Sequence, residues 1–127
     1  VDGLIRIVGV QRSEKPESEF ILLQNQGSRR LVLRGHAVIA DSALCTGDLS
    51  VGAHCFTDEE SVGTGVYIML VTGKGEPRWG RTKDGAYLYL TYMNRHRSIW
   101  NNFPGPVHVM SSQHTYVERD IEHLIMR

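Results

Sequence analysis

Histidines, cysteines and arginines carry most of the chemistry this chain could perform. His36, Cys45, His54 and Cys55 offer imidazole and thiolate, the donors zinc prefers. Their spacing matches no paired-cysteine motif, and adjacent His54 and Cys55 would point to opposite faces of a strand. Surface histidines are therefore expected, with the cysteines packed or bridged. A Cys45–Cys55 bridge would close a short loop and add about 2–3 kcal/mol. Two buried free thiols fit the same residues equally well. Asp58-Glu59-Glu60, with Asp41 or Asp48, supplies oxygens of the kind calcium takes. No Asp-x-Asp-x-Asp loop arranges them around an ion, so a solvated acidic loop is expected.

Three basic clusters stand out. Arg29-Arg30 with Arg34 is one, and Arg95-His96-Arg97 is the second. In the third, Arg78 and Arg81 flank Trp79. A guanidinium beside an exposed aromatic ring can stack and meet phosphate at once, which suits a single-stranded nucleic acid. The plainer expectation for each is a charged turn that keeps the protein in solution. Trp100, Tyr87, Tyr89 and Tyr92 could form a sugar platform, but such rings more often fill a core or brace strand pairs. Trp100 is expected to be buried; Tyr87 and Tyr89 are expected to share one face, with a partly exposed aromatic strip as the alternative to core packing.

Hydrolysis by a nucleophile would need Ser or Cys activated by His and oriented by a carboxylate. All these residue types occur, yet no Gly-x-Ser-x-Gly elbow surrounds any serine. No carboxylate pair suited to glycoside hydrolysis can be singled out. A non-catalytic protein without a cofactor is expected.

The elements that must position these groups are short strands. The 127 residues suffice for one domain. A chain of this size buries roughly two-thirds of its unfolded surface. Acidic and basic residues number 14 each, so no global field draws the protein to nucleic acid or acidic membranes. No apolar run reaches the ~20 residues of a membrane helix. The start at Val1, with no basic-then-apolar leader behind it, predicts an excised domain or a mature form.

Leu4 to Val10 is rich in β-branched residues and reads as a strand. Ser13 to Ser18 is a polar loop holding Pro16, and Phe20 to Gln24 is a second strand. Gln26-Gly27-Ser28 is a turn; Leu31 to Leu33, broken by Gly35, and Ala37 to Ala40 follow as strands. From Asp41 to Gly65 the pattern predicts a long connection with short strands near Leu49-Ser50-Val51 and His54-Cys55-Phe56. Val66 to Val71 is continuously apolar, as a central strand covered on both faces would be. Ala86 to Tyr92 alternates, with Tyr87, Tyr89 and Thr91 on one face and Leu88, Leu90 and Tyr92 on the other. Pro104-Gly105-Pro106 breaks the chain before a strand at Val107 to Met110, and Tyr116-Val117 reads as the last. Val117, Ile121, Leu124 and Ile125 fit a short C-terminal helix, although Val117, Ile121 and Ile125 also fit a period of two. Short strands at regular spacing without long helices predict an all-β fold, a β-sandwich of two antiparallel sheets.

Four pieces of this pattern resemble the lamin tail domain, an immunoglobulin-like β-sandwich found in nuclear lamins and in many bacterial secreted or surface proteins. They are the strand ending in Asn-x-Gly (Phe20 to Gly27), the Leu-x-Leu-x-Gly step (Leu31 to Gly35), the apolar strand running into Gly-x-Gly (Gly65 to Gly75), and Trp100-Asn101-Asn102 before a final hairpin. Together they span about residues 4 to 117. The chain departs from the family in placing His36 where a Trp usually follows the Gly. It also lacks the aromatic–Pro–Gly rhythm between Ala43 and Ser61, and Trp79 with its basic neighbours answers to no family feature. The resemblance implies a non-catalytic structural or binding module within a larger chain, with a protein, polysaccharide or surface partner. It also leans the location outside the cytoplasm, secreted or at the cell surface. Lamin tails are implicated in chromatin contacts, so nucleic-acid association through the arginine clusters is the second expectation, and a hydrolase-type enzyme the third.

Overall fold

The apolar run at Val66 to Val71 becomes the centre of the largest sheet. The structure, a computed structural model, describes residues 4–111. Its strands are β1 (Ile5–Gln11), β2 (Phe20–Asn25), β3 (Leu31–Val32), β4 (His36–Ala40), β5 (Ala53–Cys55), β6 (Ser61–Val62), β7 (Tyr67–Val71), β8 (Arg78–Arg81), β9 (Tyr87–Tyr92) and β10 (Val107–Ser111). A short helix, α1 (Asp41–Thr46), follows β4, and 3₁₀ turns form at Pro16–Ser18 and Trp100–Asn102. The protein is all-β in architecture, with its sheets gathered around a shared core.

The five-stranded sheet runs β1-β2-β7-β9-β8, a three-stranded sheet runs β10-β4-β5, and β3 pairs with β6. Two antiparallel sheets were expected; three are found, and β7 and β9 are parallel. The parallel pair has a simple cause. After β7 the chain crosses to the outer edge as β8, then turns back through Gly85 (φ +88°) into β9, which fills the gap. Strands joined through such a crossover run the same way.

Alternation within β2, β7 and β9 faces Ile21, Leu23, Ile68, Leu70, Tyr89 and Thr91 inward. They meet Val38 and Ala40 of β4, Val62 of β6, and Leu33, Phe56 and Trp100 from the connections. Trp100 is fully buried, as expected. On the opposite face, Leu22, Met69 and Leu90 form a cross-strand row that is half-buried. The expectation that β7 is covered on both faces therefore holds for its inner face and only in part for its outer one.

No strand forms at Leu49 to Val51. The chain makes α1, ended by Gly47 in the left-handed region (φ +77°), and then a tight turn held by the Asp48 carbonyl. Only Ala43 of this helix is buried. Six residues with a single core contact leave no periodic apolar signal to read. The expected strand at Tyr116-Val117 and the expected C-terminal helix lie outside the described residues.

The four motif pieces each have a physical duty. Asn25 is fully buried; its amide donates to the Arg29 and Val62 carbonyls, and its Oδ1 accepts the Gly27 N–H at 3.0 Å. Gly35 sits at φ +95° and lets the His36 N–H return to the Leu33 carbonyl. Gly73 lies against the Glu17 backbone so closely that a Cβ would stand 2.9 Å from it. Glu19, also fully buried, gathers the turn at Trp100–Asn102. Its carboxylate accepts the N–H groups of Ile99 (2.8 Å), Trp100 (3.1 Å) and Asn101 (2.9 Å) and the Thr72 hydroxyl (2.8 Å).

Candidate functional site, an aromatic and arginine cleft

The alternation of β8 decides which of its residues act together. In Arg78-Trp79-Gly80-Arg81, Trp79 pairs across from Tyr89 and Arg81 from Tyr87. These four share the sheet's inner face; Tyr89 belongs to the core, and Trp79, Arg81 and Tyr87 continue that face beyond it. Trp79 leans on Tyr89 with ring centroids 5.1 Å apart. Trp79 is nevertheless 45% exposed and Tyr87 55%. With Arg30, Gly63 and Val66 they line a cleft of about 390 Å³.

Arg30 lines the cleft and Arg81 lies beside it on Tyr87, and both guanidinium groups are held in place. That of Arg81 lies 4.5 Å from the centroid of the Tyr87 ring. It donates to the Gly85 carbonyl at 3.2 Å and to the Tyr87 hydroxyl at 3.1 Å. Arg30 donates to the Ser61 carbonyl at 3.3 Å and lies over Gly63. Among the described residues, neither arginine has a carboxylate partner.

Behind Trp79, on β9, the Tyr89 and Thr91 hydroxyls donate to Asp58, each at 2.8 Å. Burial, followed by the bond to Asp58 and the charges of Asp58 and Glu60, raises the Tyr89 pKa well above the ordinary tyrosine value. Tyr89 therefore stays a hydrogen-bond donor throughout the neutral range and backs the Trp79 ring. The acidic loop expected to be merely solvated is thus anchored to β9 through Asp58. The His54 pKa is lowered, chiefly by burial; the charge of Arg95 acts in the same direction and that of Asp58 against it.

The sequence-predicted stacking group is regrouped. Arg78 points to the opposite face beside Leu90, and Arg81 stacks on Tyr87 rather than on Trp79. Of the first basic cluster only Arg30 lines the cleft; Arg29 is exposed, and Arg34 is paired with Glu59 at 2.8 Å. Arg95, His96 and Arg97 border a separate cavity of about 390 Å³ with Val51, Ile99 and Asn102. Gly63, Val66 and Tyr87 complete the cleft. Tyr87 was legible from period-two alternation, whereas Gly63 and Val66 reach the site only through tertiary packing.

Cys45 on α1 and Cys55 on β5 are both free and exposed, so neither the bridge nor the pair of buried thiols forms. His36 is buried, with Nδ1 3.1 Å from the Leu33 carbonyl, and is not a surface histidine. Asp41 pairs with His108 at 2.8 Å, away from Asp58, and no group of three or more metal-ligating side chains occurs among the described residues. No helix among the described residues is long and apolar enough to cross a membrane. Comparison with protein-family models, curated proteins and solved structures returned no match.

Proposed function

We propose that this chain is an immunoglobulin-like β-sandwich of the lamin tail type. In this reading it is a non-catalytic binding module whose contact surface is the Trp79–Tyr87 cleft. The observation that carries the reading is the exposure of two large aromatic rings on a hydrogen-bonded hairpin, with one ring already clamped by Arg81. Rings held rigidly at a surface lose little entropy on contact, which is why they dominate binding energies. The assignment to the lamin tail type is supported by the duties of its four motif pieces, above all the joining of the start of β2 to Trp100-Asn101-Asn102 through Glu19.

A nucleic-acid interface is less well supported. Single-strand binding uses a basic groove along the backbone with successive stacking platforms. Here Arg34 is neutralised by Glu59 and Arg78 faces away from Trp79.

The test is a panel of immobilised oligosaccharides and peptides, probed with the native domain and with Trp79→Ala. Trp79 lies outside the core cluster, so the variant should fold, with a modestly lower melting temperature from the lost Tyr89 contact, while losing the native signals. Native signals that survive the substitution would move the contact surface elsewhere. A panel to which the native domain shows no binding would overturn the reading.

A further inference from the structure

Resting on that binding reading, we infer that the cleft takes an acidic polysaccharide, with a uronate ring on Trp79 and its carboxylate between Arg81 and Arg30. Three observations converge on this chemistry. First, the cleft offers one free stacking ring. The Tyr87 ring is already occupied by the Arg81 guanidinium, which leaves Trp79 as the platform. One platform matches one sugar ring, whereas a single-stranded nucleic acid would use several in succession.

Second, the cations are built for a carboxylate. An arginine carries five N–H donors. Arg81 uses two of its groups to hold itself on Gly85 and Tyr87, and Arg30 is fixed by Ser61, so donors remain on both. Guanidinium and carboxylate match as planar forks and bond at about 2.7–2.9 Å. Trp79 and Arg81 are two residues apart on one face, roughly 7 Å along the strand. That is about the span of a pyranose ring centre, its exocyclic carboxylate and one such bond.

Third, the platform suits a ring face: Trp79, 45% exposed, stands beside the apolar side chain of Val66 and the Tyr87 ring in the cleft wall. The exposed face of a sugar ring presents C–H groups to Trp79, and its hydroxyls remain in water.

Titration calorimetry and Trp79 fluorescence with oligogalacturonate, its methyl ester, a neutral oligosaccharide and a thymidine homopolymer at physiological salt test the inference. Oligogalacturonate should bind, Trp79→Ala should abolish binding, and Arg30→Ala and Arg81→Ala should each weaken it about tenfold. The methyl ester, which keeps the ring and loses the charge, should weaken by a similar factor. Equal affinity for acid and ester would overturn the inference. So would Trp79-dependent binding of the neutral sugar or of DNA but not of the uronate, yet that outcome would leave the binding-module reading intact. Absence of binding of every probe by the folded native domain would overturn the inference alone; the wider panel decides the reading.

Discussion

Glu19 shows how one residue can hold a loop that is remote in sequence. Its carboxylate meets the N–H end of the Trp100–Asn102 turn, while Arg12 donates to the Trp100 carbonyl at 2.9 Å and the Gly105 carbonyl at 2.6 Å at the other end. A buried donor stripped of its partner costs about 1–3 kcal/mol. Glu19→Ala strips the buried N–H groups of Ile99 and Trp100, so urea unfolding should show a loss of about 3 kcal/mol or more. An unchanged midpoint would mean that water takes over the cap. His54 sets a pH effect. Its folded pKa lies below the ordinary 6.5, so the unfolded chain takes up the proton first as pH falls. Stability should therefore decline from about pH 6.5 down to the folded pKa, and be indifferent to this group above that range. His54→Gln should flatten that part of the profile; parallel profiles for native and variant would assign the slope to other groups.

At the scale of elements, glycines decide how closely chains approach. Gly73 follows β7 and packs on the backbone of Pro16 and Glu17, whose atoms cannot swing aside as a side chain would. Gly73→Ala should destabilise by about 1–3 kcal/mol, as overpacking does. Denaturant unfolding measures this, and a neutral result would show that the Pro16–Ser18 turn can shift outward. Gly85 is the contrasting case, since open space surrounds it and its φ of +88° alone favours glycine. The strands with apolar alternation or continuous apolar runs, β2, β7 and β9, were legible because their patterns record which face is buried. The helix α1 and the two-residue strand β6 were not distinguished, because elements so short bury too few residues to leave a period.

Across the whole molecule, one apolar cluster draws side chains from all three sheets. Such a core should unfold as one unit. In Trp79→Phe the remaining tryptophan is Trp100, buried at the centre, so its fluorescence reports tertiary packing. Its urea transition should coincide with that of far-ultraviolet circular dichroism. Separated curves would show that the β10-β4-β5 sheet melts apart from the five-stranded one. The balanced charge of the chain predicts no strong global field, so on the binding proposal it is the local arrangement of Arg30 and Arg81 that would select a ligand.

Residue order alone determined the all-β class, the central place of Val66 to Val71, the burial of Trp100 and the shared face of Tyr87 and Tyr89. Each follows from local periodicity or from the cost of leaving a large apolar group in water. Tertiary structure decided the rest. It chose three sheets over two, turned β9 parallel to β7, left Cys45 and Cys55 apart and exposed, buried Glu19 beneath Trp100, and brought Arg30 to Trp79. The physical reason is that these outcomes depend on partners distant along the chain. Alternation tells which way a side chain points but not what it will meet there.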